Sequence, residues 1–228
     1  VDVRKLSVSD SLLNNLFSVK SSKINLNFSI VLRILSEDVY WAKPTLLSID
    51  AGDVDGDGVD DIAIVPRDSH SLQEGDNNTL QVFKSDGTEL WSASILVDGG
   101  KVAIADVDLD GKGEVFVTGT STDIHGQPDI LVHAFDDNGT KLWEYVEYDD
   151  PGYRWARFIA FTNIDDDPEL EIIVANGGWT DRFIYALDTN GSLVWRFTNG
   201  NEANQMLLGD VTGDGVEEVI LLTNVGHM

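Results

Sequence analysis

The sequence predicts an all-β fold, a β-propeller built from four-stranded antiparallel blades, on three observations. First, four acidic stretches share one internal spacing: Asp53–Asp61, Asp106–Glu114, Asn163–Glu171 and Asp210–Glu218. Each is followed at once by an apolar run, Ile62–Val65, Val115–Val117, Ile172–Val174 and Val219–Leu222. Second, Asp86-Gly87-Thr88, Asn138-Gly139-Thr140 and Asn190-Gly191-Ser192 each sit between β-rich runs and precede Trp91, Trp143 and Trp195. Asp-Gly or Asn-Gly in that setting is a strong hairpin signal. Third, the two motifs keep one period: the Trp residues are 52 and 52 apart, and the acidic stretches begin 53, 57 and 47 apart. A repeat of about 50 residues with several strands per copy is that of a propeller.

The elements follow in order. Residues 1–22 are a lead segment, with a short helix expected near 10–17. Between Lys23 and Leu35 the residues Ile24, Leu26, Phe28, Ile30, Leu32 and Ile34 alternate onto one face, the period of a strand. A turn at Ser36-Glu37-Asp38 then leads to Tyr40-Trp41, which falls 50 residues before Leu90-Trp91. Residues 23–43 therefore read as the third and fourth strands of a preceding half blade. Residues 45–97 form a full blade with strands expected near 45–50, 62–66, 80–84 and 89–95. The acidic stretch joins its first strand to its second, and the glycine turn joins its third to its fourth. Full blades at 98–155 and 156–204 and a half blade at 205–228 complete the reading. The halves either join to close a four-bladed ring, or another copy or the remainder of a parent chain completes a larger one. An open sheet edge would need such a cover. In an up-and-down sheet the acidic stretches and glycine turns lie at one end and the remaining loops at the other. The Trp residues at fixed phase are read as packing residues between blades.

The acidic spacing points to a hard cation. Oxygen side chains occupy positions one, three, five and nine of each stretch: Asp53, Asp55, Asp57 and Asp61; Asp106, Asp108, Asp110 and Glu114; Asn163, Asp165, Asp167 and Glu171; Asp210, Thr212, Asp214 and Glu218. Calcium takes about six to eight oxygen ligands in flexible geometry, whereas an EF-hand needs its last acid at position twelve and flanking helices. Magnesium, with its stricter octahedron, is the second choice. Transition metals are disfavoured because neither Cys nor His falls in any stretch. Gly58, Gly111 and Gly215 stand at position six, where the chain turns sharply; the third stretch has Pro168 there. The first loop, with four Asp, is expected to hold its ion best, then the second, the fourth and the third. Three or four Ca2+ ions are expected in all.

The loops resemble the calcium loops of FG-GAP repeats, found in integrin α-subunit propellers and in microbial surface proteins with VCBS-type repeats. The Asp/Asn-Gly-Thr/Ser-x-Leu/Val-Trp hairpins are similar to those of PQQ-like propeller repeats. Together these likenesses cover residues 23–222; the Phe-Gly and Gly-Ala-Pro tripeptides of the FG-GAP name are not evident. The FG-GAP resemblance implies that the carbonyls of Val59, Lys112, Glu169 and Val216, at position seven, complete the ligand sets. It also implies a calcium-binding extracellular or cell-surface module, with calcium structural and the opposite face free for protein or glycan binding and adhesion. That face would be made by 66–79, 119–129, 147–155 and 176–182, where Arg67, His70, His125, Tyr153, Arg154, Trp155, Trp179 and Arg182 are candidates. The alternative is part of a calcium-dependent polysaccharide lyase or of a PQQ-like propeller enzyme. The basic residues are scattered and the vicinal cysteines of many quinoproteins are missing, so catalysis by this chain is not expected.

Composition bounds the partners. The net charge is −25, and four calcium ions would leave −17. So acidic a chain is no partner for nucleic acid. No run of residues approaches the roughly 20 apolar positions of a membrane span. There is no Cys, hence no disulfide framework. Asn-x-Ser/Thr sequences occur at Asn27, Asn77, Asn138 and Asn190, and turn chemistry accounts for the last two. Val1 in place of Met points to removal of an upstream part. Abundant calcium is an extracellular condition, which places the protein outside the cell or at its surface.

Overall fold

The computed structural model describes residues 47–66, 78–95, 98–122, 128–147, 154–164, 167–178, 183–198 and 203–223. The expected lead segment, its short helix and the strands of 23–43 lie outside these residues. The described residues contain strands and no helix. Sheet A comprises β1 (Leu47–Gly52), β2 (Asp61–Pro66), β3 (Asn78–Phe83) and β4 (Glu89–Ile95). Sheet B comprises β5 (Asp98–Ala105), β6 (Glu114–Thr122), β7 (Pro128–Phe135) and β8 (Lys141–Glu147). Sheet C comprises β9 (Arg154–Thr162), β10 (Glu171–Gly178), β11 (Phe183–Leu187) and β12 (Leu193–Thr198). Sheet D has β13 (Ala203–Gly209) and β14 (Glu218–Thr223). All pairs are antiparallel and sequential.

Each acidic stretch joins the first strand of a sheet to its second, and each glycine turn joins the third to the fourth. The turns are longer than a two-residue hairpin. Gly87, Gly139 and Gly191 donate to the carbonyls of Lys84, Asp136 and Asp188, three residues back, at 2.8, 3.1 and 2.8 Å. Their φ values are +86°, +83° and +81°, and the register shifts at the end of each third strand. This is a turn closed by a glycine bulge, which needs the left-handed conformation glycine adopts without strain.

The core lies between consecutive sheets. Ala63, Val65, Leu80, Val82 and Trp91 of sheet A pack with Val115, Val117, Leu131 and Phe135 of sheet B. Phe116, Val132 and Ala134, on the other face of sheet B, pack with Ile172, Val174 and Leu187 of sheet C. Ile173, Ala175, Ile184 and Ala186 continue toward Met206, Val219 and Leu221 of sheet D. The second strands of sheets A, B and C are thus buried on both faces, as their continuous apolar runs, rather than alternations, would have it. The first strands lie side by side, β1 against β5, β5 against β9 and β9 against β13. Ser48 and Asp50 of β1 accept the N–H groups of Val102 and Ile104 of β5 at 2.8 and 2.9 Å.

The Trp residues join the sheets at their outer strands. The Trp91 indole N–H donates to the carbonyl of Asp137 at 2.9 Å, and that of Trp143 to the carbonyl of Thr189 at 2.6 Å. Each ring lies on the turn glycine of the next sheet, so close that a Cβ on Gly139 or Gly191 would sit 2.7 Å from an indole carbon. A Trp packed against a neighbour with its N–H satisfied secures both its apolar area and its polar handle.

Candidate metal centre

All four acidic loops are built by one hydrogen-bond scheme. The carboxylate at position nine accepts the N–H of position two: Asp61 from Val54 (3.2 Å), Glu114 from Val107 (3.0 Å), Glu171 from Ile164 (2.6 Å) and Glu218 from Val211 (2.8 Å). The carboxylate at position five accepts the N–H of position seven, which is Val59, Lys112, Glu169 or Val216, each at 2.9 Å. The position-one carboxylate accepts the N–H of the position-six glycine at 2.8 Å in the first loop and 3.0 Å in the second and fourth. The third loop departs here for a plain reason: Pro168 has no N–H to give. Its Asn163 instead donates from Nδ2 to the Asp167 carbonyl.

In three of the four loops, three of the predicted side chains converge among the described residues. Asp53, Asp55 and Asp57 bring carboxylate oxygens within 4.8 Å of one another, as do Asp106, Asp108 and Glu114, and Asp210, Asp214 and Glu218. Asp61 is not in the first group, and its side chain is one methylene shorter than the Glu at the same position of the other loops. Asp110 is not in the second, and accepts Lys112 N. Thr212 donates its hydroxyl to Glu218 at 3.0 Å. Asp165 lies outside the described residues, so the third loop is described only at Asn163, Asp167, Glu169 and Glu171.

The donor set fits a hard cation, since every converging side chain offers carboxylate oxygen and neither nitrogen nor sulfur. In the second loop Asp106 Oδ1 is buried without a hydrogen-bond partner, as a carboxylate oxygen meant for an ion would be. In the first and fourth loops the equivalent oxygen accepts the N–H groups of positions four and five, Gly56 and Asp57 at 2.9 and 3.1 Å and Gly213 and Asp214 at 2.6 and 3.2 Å. Position four is left-handed in all three of these loops. Gly56 and Gly213 have φ of +76° and +80°; the second loop places Leu109 at +61°, where a side chain is strained. Burial drives the Glu114 carboxyl up to about 7 and Asp61 up to about 6, with neighbouring aspartates adding to the rise. Both groups favour a proton while no cation offsets their burial.

The glycine turns reach over the loops of their own sheets. Lys84 pairs with Asp55 and, at 3.3 Å, with Asp57. Hydrogen bonding to Lys84 holds the Asp55 carboxyl below its ordinary value, and the same bonds raise the lysine. Lys112, at position seven of the second loop, pairs with Asp137 of the turn at 2.5 Å. Thr189 donates to Glu169 at 2.7 Å in sheet C. The ligand spacing missed Lys84; the signal was in the hairpin alignment, where Lys84 takes the place of Asp136 and Asp188. Neighbouring loops also touch: Gly113 N donates to Asp53 O at 2.8 Å, and Leu170 N to Val107 O at 3.0 Å.

Of the candidates for the opposite face, Arg154 and Trp155 lie on β9, and Arg67, His70, His125, Tyr153, Trp179 and Arg182 lie outside the described residues.

The chain resembles a polysaccharide lyase. It is 27% identical over 225 residues to the rhamnogalacturonan exolyase YesX of Bacillus subtilis strain 168, a match that takes in 74% of this chain and 36% of that protein. Thus it spans little more than a third of that relative's length. Among solved structures it is similar to the V. cholerae biofilm matrix protein Bap1, with a TM-score of 0.33 and 21% identity over 71% of this chain and 30% of that one. No family model matches.

Proposed function

We propose that the chain is part of a calcium-held β-propeller in an extracellular or cell-surface protein. In this reading sheets A to D are successive blades. The loops between first and second strands each hold one Ca2+, and the opposite end of the blades presents the surface for a protein or glycan. The observation that carries the cation reading is the second loop. There Asp106, Asp108 and Glu114 converge, and Asp106 keeps a buried oxygen with no hydrogen-bond partner. The side-by-side first strands and the face-to-face packing of successive sheets support the propeller. The role of calcium is structural: it neutralises carboxylates that the fold gathers between two strands. Elemental analysis after equilibrium dialysis against calcium tests this. Three or four ions per chain are expected, with one lost in Glu114→Gln; no retained calcium refutes the reading.

A second reading, favoured by the likeness to YesX, is that the chain is the calcium-loaded part of a lyase acting on an acidic plant polysaccharide. Incubation with rhamnogalacturonan tests it. Release of unsaturated sugar products that stops on chelation supports a lyase, and binding without cleavage supports the module.

A further inference from the structure

The acidic loops of sheets A and B touch through buried backbone. Gly113, at position eight of the second loop, donates its N–H to the carbonyl of Asp53, position one of the first, at 2.8 Å. The fit is tight: a Cβ on Gly113 would sit 2.9 Å from that oxygen and 2.7 Å from Ile104. A second approach lies in the same two loops, where a Cβ on Gly56 would meet the Gly111 carbonyl at 3.1 Å. The contact continues into the candidate ligands on each side. The Asp53 carbonyl and the Val54 N–H belong to one planar peptide, and that N–H donates to Asp61 at 3.2 Å. On the other side Gly113 directly precedes Glu114, which accepts the Val107 N–H at 3.0 Å and converges with Asp106 and Asp108. Val54, Asp61, Val107 and Glu114 are all buried, so water does not readily replace these bonds.

We infer that the first and second loops bind calcium cooperatively, with the Gly113–Asp53 hydrogen bond as the coupling contact, so that an ion in the second loop prepares the first. This rests on the calcium reading proposed above. The element with two states is the loop itself. Without an ion its gathered carboxylates repel one another and loosen the turn. An ion draws Asp106, Asp108 and Glu114 together and fixes the backbone beside them, Gly113 included. The fixed Gly113 N–H then holds the Asp53–Val54 peptide, and through it Asp61, where the first ion needs them. Part of the ordering of the first loop is complete before its own ion arrives, which is the condition for positive cooperativity. The coupling is reciprocal: an ion in the first loop favours the second by the same factor. The first loop has more to gain, because Lys84 already pairs with Asp55 and Asp57 there. Repulsion between the two ions acts in the opposite direction, and that difference in sign makes the inference testable.

The test is a calcium titration of the chelated full chain followed by NMR. The amides of Gly58 and Gly111 report the two loops separately, since each donates to the position-one carboxylate of its own loop. Glu114→Gln empties the second loop. It removes one negative charge together with an ion of charge +2, so electrostatics alone would tighten binding at the first loop. The coupling predicts the reverse: the Gly58 midpoint moves to calcium concentrations higher by about fivefold or more. A Gly58 midpoint that is unchanged or lower overturns the inference. Gly113→Ala is the second variant, because it alters no charge and its methyl forces Gly113 and Asp53 apart. The Gly58 midpoint should rise in this variant too, while the second loop still fills; an unchanged Gly58 midpoint overturns the inference. Gly58 and Gly111 amides that ignore calcium in the unaltered chain would remove the calcium reading and the coupling together, whereas amides that respond with unlinked midpoints remove the coupling alone.

Discussion

Strands β6 and β14 carry the same message in different surroundings. Both follow an acidic loop, both begin with Glu, and both continue as an apolar run. Flanked by sheets A and C, Val115, Phe116 and Val117 are wholly buried. At the end of the described array, Ile220 is 37% and Leu222 61% exposed. The loops differ in the same way. Glu114 and Glu218 accept the same position-two N–H, but Glu114 is buried and Glu218 is not. The local pattern therefore makes the loop, and the neighbouring sheets decide what the loop can do. A carboxylate in water is an indifferent ligand; one that burial has already stripped of water gains more from an ion.

The comparison predicts its largest effect at the Trp residues. Trp91→Ala should cost about 3–5 kcal/mol, the range for losing a buried Trp. Trp195→Ala, whose ring is only partly buried against the sheet C core and meets no turn glycine among the described residues, should cost less, about 1–2 kcal/mol. Urea unfolding of both variants checks this, and equal losses would mean that the two interfaces do not differ. Next in size is Leu109→Gly. Relieving a left-handed leucine should stabilise the chain by about 1 kcal/mol, whereas the same substitution at Val211, outside that region of backbone space, should not.

A third prediction concerns pH. The Glu114 and Asp61 carboxyls are raised in the fold, to about 7 and about 6, above their ordinary values. Protons therefore favour the calcium-free fold, and its stability is lost as pH rises through 6 and 7. Melting of the chelated chain should move to higher temperature as pH falls from 8 toward 6.5. Below that, His133 opposes the trend. Burial lowers it from 6.5 to about 4, so its contribution is lost as pH falls through that interval. With calcium bound the first trend should reverse, because protons then compete with the ion. The smallest effect is expected from Lys84→Ala. Removing the ammonium that pairs with Asp55 and Asp57 should tighten calcium binding at the first loop severalfold, read as a change in one site of a calorimetric titration.

Much of this was legible in the sequence because it is short-range. Positions one, five and nine of each loop close hydrogen bonds over two to seven residues, so their spacing survives as a motif. The glycine turns are visible for the same reason. What the sequence hid is long-range or conformational. The spacing ranks the first loop above the second, but it does not show Lys84 arriving from the hairpin 27 residues beyond Asp57. Nor does it show that Leu109 takes a left-handed φ, or that Asp106 keeps a buried oxygen with no hydrogen-bond partner. The Trp period was plain, yet the seat of each ring on a glycine 48 residues further along the chain emerges only when two sheets meet.

The central claim is that cations hold these loops. Calcium titration of the chelated chain by calorimetry, paired with thermal melting, tests it most directly. The account predicts saturable binding of three or four ions and a large rise in melting temperature. Each site should add about 2.7 kcal/mol at a hundredfold excess of calcium over its Kd. An absence of binding, or binding that leaves the melting temperature unchanged, would contradict it and reduce the acidic loops to turns.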